Sequence, residues 1–184
     1  MAHAISESKL REWMTRLGPR LLNVSFGICH DRHRAEEIVQ EAFVKLWRQP
    51  PDAGEVAYSS WLRRVVTNLS INYIKRAKKP SALPEFSTDP ALTTPGDEHD
   101  RIDQRDNVDR VRLAMSRLDE QKRAILMLRG YEQLSYEELA EHLGIPIGTV
   151  MSRLNRARTA LQQELERIER EATGSPVVYK FKHA

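Results

Sequence analysis

The chain has 184 residues, 40% of them hydrophobic and 30% charged, with a formal net charge of +3 and a pI near 9.1. This length and composition suit one or two small helical domains with thin cores. The single cysteine, Cys29, excludes an internal disulfide framework; no apolar run approaches the ~20 residues of a bilayer span, and residues 1–12 lack a signal-peptide core, so a soluble cytoplasmic protein without membrane insertion is expected.

Residues 5–29 read as a long amphipathic helix, because Leu10, Trp13, Met14, Leu17, Leu21, Val24 and Ile28 recur at spacings of three and four. Gly18-Pro19 predicts a kink or a split. His30-Asp31-Arg32-His33 is a polar break. Cys29 and His33 at i, i+4, with His30 beside them, offer part of a metal-ligand set. Structural zinc sites want four ligands, however, and a buried cysteine at a helix end accounts for the same residues.

Arg34 to Arg48 form a second predicted helix, with Ile38, Val39, Ala42, Phe43, Leu46 and Trp47 as its apolar stripe. Glu36, Glu37, Gln40 and Glu41 make a polar, mostly acidic strip near its start. Acids there suit the helix dipole, and they also suit a basic partner surface. Gln49 to Gly54 ends the helix and opens a loop.

A third helix is expected from a cap at Ser59 or Ser60 to about Lys78, with Leu62, Val65, Val66, Leu69 and Tyr73 inward. Between Tyr58 and Pro80 there are six positive charges, at Arg63, Arg64, Lys75, Arg76, Lys78 and Lys79, and no acid. Trp61, Asn68 and Asn72 are interleaved among them. Cations hold phosphates, aromatics stack on exposed bases and asparagine bonds base edges, a mixture suited to opened or single-stranded DNA. A core helix with a basic outer face is the plainer alternative.

Residues 81–105 read as a linker. Pro84, Pro90, Pro95 and Gly96 fall in it, and Ser81 to Asp109 carry eight acids against two arginines. Such a segment cannot build a core and is expected to be extended or disordered. At ~3.4 Å per residue it reaches roughly 85 Å, enough to join two DNA sites two helical turns, roughly 70 Å, apart.

A second domain starts near Asp106, with a first helix marked by Val108, Val111, Leu113, Ala114 and Leu118, and a next one capped by Asp119. Ser135 and Glu138 then form a capping box, in which each side chain holds the other's backbone amide. The short helix carries Leu139, Ala140 and Leu143 inward and ends at Gly144, the residue for a left-handed turn. Pro146 opens another helix. Val150, Leu154, Ala157 and Leu161 make its core side, whereas Thr149, Ser152, Arg153, Asn155 and Arg156 lie on the other flanks. From Gly148 to Leu161 there are three arginines and no acid. Short helix, glycine turn and basic second helix make the helix-turn-helix pattern, whose second helix enters the major groove. This helix runs through Leu165 and Ile168 and is stopped by Thr173-Gly174-Ser175-Pro176. Val177 to Lys182 alternate like a short strand, with no assigned role.

The run Ala35-Glu36-Glu37-Ile38-Val39-Gln40-Glu41-Ala42-Phe43 looks like the polymerase-binding helix of bacterial sigma factors. Trp61-Leu62-Arg63-Arg64, with Asn68 and Lys75-Arg76, resembles their promoter-melting and −10 helix. Leu134 to Ala140, with Gly148 to Leu154 and Arg156-Ala157-Arg158, resembles their −35 helix-turn-helix. The three occur in family order over about residues 8 to 168, and the two-domain layout is similar to the extracytoplasmic-function (ECF) group.

The resemblance implies an all-α protein: residues 5–80 as a region 2-like domain, the flexible acidic linker 81–105, residues 106–171 as a region 4-like domain, and the tail 172–184. It implies that Glu37, Val39, Gln40, Glu41, Leu46 and Trp47 dock on the clamp helices of core RNA polymerase, with the second domain on the flap. The loop from Pro50 to Tyr58, with Asn68, would hold a flipped −10 base, whose extrusion costs a few kcal/mol recovered in the pocket. Trp61, Arg63, Arg64, Asn72, Lys75 and Arg76 would hold the melted strand. Thr149, Met151, Ser152, Arg153, Asn155 and Arg156 would meet the −35 element, with Arg129 on a phosphate or base. The linker would follow the polymerase's RNA path. Core polymerase, promoter DNA and an anti-sigma factor are the implied partners; no cofactor, metal or catalytic group is implied. Gly130, Gln133, Asn72, Met151 and Asn155 depart from common family residues, which bears on the promoter sequence read.

Two rivals remain. A stand-alone helix-turn-helix regulator explains residues 106–168 but leaves Trp61, Asn68 and the acidic helix idle. A nucleic-acid enzyme such as a recombinase lacks support, since the six histidines are scattered and no paired-carboxylate motif is recognisable.

Overall fold

The computed structural model describes residues 5–77 and 98–173, the side chains of 98–106 and 173 excepted. Among them all regular structure is helical, in two modules. Helix α1 (Glu7–Cys29) starts where Ser6 accepts a hydrogen bond from the Lys9 amide, and ends at His30 in the left-handed conformation, φ 56°. The helix runs unbroken through Pro19, so the expected split does not occur. Proline removes one amide, and the bonds on either side suffice to carry the helix past it.

Helix α2 (Arg32–Arg48) is capped by Asp31, which accepts from the Arg34 amide at 3.0 Å. Helix α3 (Glu55–Ala77) begins earlier than the sequence patterns imply. Gly54 takes a left-handed φ of 73°, and its carbonyl accepts from the Ala57 amide, which launches the helix at Glu55. Ser59 and Ser60 therefore lie inside α3; Ser60 donates back to the Ala57 carbonyl. The three helices bury Trp13, Leu21, Ile38, Val39, Phe43, Leu46, Tyr58, Leu62 and Val66 in one cluster. A buried hydrogen bond between Ser25 and Ser70, 2.9 Å, ties α1 to α3.

The second module holds α4 (Glu98–Ser116), α5 (Glu120–Leu126), a π-helical turn (Met127–Tyr131), α6 (Tyr136–Leu143) and α7 (Ile147–Thr173). Helix α4 begins inside the range read as linker. No proline follows Pro95 until Pro146, and the acids at 98 and 100 favour a helix start. The rest of the linker, Lys78, Lys79 and the strand-like tail lie outside the described residues. Asp119 caps α5 as expected, accepting from the Lys122 amide at 2.9 Å. Ile125, Leu128, Leu134, Leu139, Val150, Leu154 and Ala157 form the core, and Ala114 meets Leu165 and Ile168 where α4 packs on α7.

A third apolar cluster crosses between the modules. Val24, Ile28 and Ile74 of the first meet Ala124 and Met127 of the second. Gly27 permits this approach: a methyl group there would come within 2.5 Å of Met127 Cε. No helix among the described residues is long and apolar enough to cross a membrane.

Candidate nucleic-acid and polymerase interfaces

The helix-turn-helix is built as its residues dictate. Glu138 N donates to Ser135 Oγ at 3.1 Å, and Ser135 N donates to Glu138 Oε2 at 2.7 Å, which completes the capping box. Gly144 has φ 64°, and the Pro146 carbonyl accepts from the Thr149 and Val150 amides. Val150, Leu154 and Ala157 are buried, which orients α7. Met151, Ser152, Arg153, Asn155 and Arg156 consequently face solvent, and Thr149 is half-buried. Met151 is 53% exposed, high for an apolar residue without a contact to make. Arg156 Nε rests on the Ser152 carbonyl at 3.3 Å. Arg153 and Arg156 are both exposed and no ion pair to a carboxylate is seen for either among the described residues, so this face is net cationic, on an element of the kind that the major groove admits.

Arg129, expected beside these residues at the −35 element, is held within the module. Its Nη1 donates to the Leu134 carbonyl at 3.1 Å and its guanidinium lies 5.5 Å from the Tyr136 ring centroid. It braces the turn leading into α6, a role that sequence spacing did not reveal.

Helix α3 separates the expected strand-opening residues onto two faces. Arg64, Asn68, Asn72, Lys75 and Arg76 are exposed and recur at about one turn. Trp61 is half-buried, packed at the margin of the first core. Arg63 belongs to the other face, with buried Thr67, Ser70 and Ile74. Its side chain is 18% exposed, and its Nε lies 2.7 Å from Glu132 Oε2 of the second module. Arg20 of α1 holds the other oxygen, Oε1, at 2.6 Å. The Glu132 side chain is only 2% exposed.

The same contact surface includes Asn23 Nδ2 donating to Tyr131 Oη at 2.8 Å, and His142 Nε2 at 3.3 Å from Thr67 Oγ1. A cleft of about 280 Å³ remains beside them, lined by Trp61, Arg63, Arg64, Glu138, Glu141 and His142. Burial, reinforced by the positive charges of Arg63 and Arg64, pushes the His142 pKa down to about 4. His30, also in the inter-module contact, is pushed down to about 4 by burial and the nearby Arg123 charge. Burial pushes the Cys29 thiol up, and its Sγ donates to the Asp31 carbonyl, in keeping with a structural cysteine.

On α2, Glu37, Gln40, Glu41 and Trp47 form an exposed stripe. Glu37 pairs with His33 and Arg34, and Glu41 with Lys45 at 3.2 Å. Val39 and Leu46 are buried in the first core, 8% and 0% exposed, so they support the helix from within and present no docking surface. Their places at i, i+7 put both on the inner side. Val44, 47% exposed between Gln40 and Trp47, takes their place in the stripe. Its spacing of four from Gln40 and three from Trp47 is the sequence signal that finds it.

Comparisons with known proteins agree with this layout. Residues 13–79 match the family described as Sigma-70 region 2, and residues 109–161 match Sigma-70, region 4. The chain is 32% identical over 163 residues to the RNA polymerase sigma-H factor of Pseudomonas aeruginosa, covering 83% of this chain and 84% of that one. It is 30% identical over 156 residues to the ECF RNA polymerase sigma factor SigW of Bacillus subtilis, with 79% and 83% covered. SigE of Mycolicibacterium smegmatis is also 30% identical, and there the match spans only 61% of the relative's length. The fold is similar to that of the sigma factor RpoE of Bartonella quintana, solved with the anti-sigma factor NepR, at a TM-score of 0.65 and 22% identity, covering 84% of this chain and 95% of that one. It is likewise similar to CnrH, solved with the cytosolic domain of CnrY, at a TM-score of 0.59 and 19% identity, with 88% and 90% covered.

Proposed function

The chain belongs to the extracytoplasmic-function group of sigma-70 factors, which direct promoter-specific transcription initiation by RNA polymerase, and from that premise we propose how its residues divide the work. Glu37, Gln40, Glu41, Val44 and Trp47 dock on the clamp helices of core polymerase. Apolar Val44 and Trp47 supply the buried centre of that contact, and the carboxylates supply its polar rim. Arg64, Asn68, Asn72, Lys75 and Arg76 track the melted −10 strand, with Trp61 stacking on a base and the loop before α3 receiving an extruded one. Thr149, Met151, Ser152, Arg153, Asn155 and Arg156 enter the major groove at −35 while the second module sits on the flap. An anti-sigma partner belongs to the same proposal, because RpoE and CnrH were each solved with a partner. The work is done in the cytoplasm.

The carrying observation is that α2, α3 and α7 each present one exposed stripe chemically matched to one of these tasks, on two separately cored modules. The test is run-off transcription with purified chain and core polymerase. Promoter-specific transcripts are expected; duplex binding without any gain in transcription would instead make the chain a helix-turn-helix regulator.

A further inference from the structure

Helix α4 carries an apolar stripe at spacings of three and four, Val108, Val111, Met115 and Leu118. Only its second half is covered. Met115 and Leu118 are each 8% exposed, whereas Val108 and Val111 are 42% and 43% exposed. Helix α7 packs on another side of α4, through Ala114, and Arg110 Nη1 lies 3.7 Å from Glu169 Oε1. Glu169 stands four residues before the end of α7, so Val108 and Val111 flank the place where that helix stops. Ala172, one turn past buried Ile168, is exposed there as well. Single exposed apolar side chains are ordinary on a protein surface. Val108 and Val111 differ in that they prolong a core stripe beyond its cover, beside the point from which the chain continues.

We propose that residues 177–182, which follow α7 and lie outside the described residues, dock across α4 and cover Val108 and Val111. Their sequence is Val-Val-Tyr-Lys-Phe-Lys. In extended form Val177, Tyr179 and Phe181 share one face, and Lys180 and Lys182 lie on the other. Such a strip has an apolar side to bury and a charged side to leave in water. Charge favours the same seat. No acid follows Glu171, while Glu98 to Asp109 hold five acids against two arginines. Screening keeps that attraction small, but it prefers α4 to the basic face of α7. Reach is sufficient: the six residues from Thr173 to Tyr179 span up to roughly 20 Å, against about 10–12 Å for the diameter of a helix with its side chains. Gly174 and Pro176 are helix breakers, which lets the chain leave the α7 axis and turn toward α4. This contact is independent of the polymerase and promoter roles above, none of which uses the tail.

Limited trypsin digestion of the full-length chain, followed by mass spectrometry, tests the contact. Cleavage tracks the fraction of time a segment stands free, so a docked tail is cut slowly. Val111→Asp places a charge in the seat at an exposed position, outside the core clusters. It should speed cleavage after Lys180 and Lys182 at least about fivefold. Equal rates in wild type and variant overturn the proposal. Amide exchange tests it from the other partner, without altering α4. Tyr179→Ser combined with Phe181→Ser should let the amides of residues 108–112 exchange at least about threefold faster than in wild type. Unaltered exchange also overturns the proposal. Both measurements are repeated on dilution. Protection that is independent of concentration supports a contact within one chain; protection that falls on dilution would assign the seat to a second copy and overturn the tail as its occupant.

Discussion

His142 Nε2 lies 3.3 Å from Thr67 Oγ1, so the last turn of α6 is tied to the buried side of α3. His30, at the end of α1, lies in the same inter-module contact, and burial holds both rings neutral with pKa values of about 4. Arg63 and Arg64 face His142 and Arg123 faces His30, so protonation adds like charge as well as a desolvation cost.

The sign of the pH dependence follows. A histidine with an ordinary value of about 6.5 takes up its proton more readily once the contact is open. Stabilisation of the inter-module contact by the two neutral rings is full above about 6.5, declines as pH falls, and is lost below about 4. The loss is at most about 3 kcal/mol per histidine, less where water reaches the ring. Scattering or amide exchange at pH 7.5 and pH 5 should show loosening at the lower value. His142→Gln should reduce the effect; unaltered acid sensitivity in that variant would remove His142 as a source.

Arg156 and Arg129 should separate by phenotype. Arg156→Ala is expected to weaken −35 duplex binding by about 1–3 kcal/mol with little change in thermal stability, since the side chain rests only on its own helix. Arg129→Ala should lower stability by about 1–2 kcal/mol, because the Leu134 carbonyl and the Tyr136 ring lose their partner. Thermal denaturation and duplex binding on both variants distinguish the reader from the brace.

Adjacent residues Leu46 and Trp47 should also behave oppositely. Leu46→Ala removes a fully buried side chain and should cost about 2–5 kcal/mol of stability. Trp47→Ala, at a 43% exposed position, should leave folding intact and weaken core polymerase binding by about 1–3 kcal/mol. Val44→Ala should act in the same direction by a smaller amount. Titration with core polymerase, beside a melting curve, checks all three.

Asn68 is exposed on α3, one turn from Arg64 and one from Asn72. Asn68→Ala should not destabilise the module, and should reduce retention of forked −10 DNA by about 1–3 kcal/mol with a changed base preference. A uniform loss across all fork sequences would place Asn68 on the backbone rather than on a base.

Much of this architecture is local and was legible in the chain. The capping box at Ser135 and Glu138, the left-handed turn at Gly144 and the apolar spacing of Val150, Leu154 and Ala157 need only neighbouring residues to act. The acid-free basic run from Arg63 to Arg76 is equally a property of the sequence. Helix starts were less legible where a backbone conformation decided them: φ at Gly54, not the hydroxyl of Ser59 or Ser60, begins α3. Tertiary structure decided how far each face is covered. Val39 and Leu46 go inward as their apolar stripe implies, whereas Trp47 of the same stripe stays exposed beside Val44, because the three helices close on one core that does not reach that edge. Arg63 left the DNA-facing set for Glu132, 69 positions along the chain, because Met127 fits over Gly27 and brings the second module onto α3. Periodicity records that a face is apolar or charged; whether water, DNA or another part of the same chain meets it depends on contacts between residues far apart in sequence.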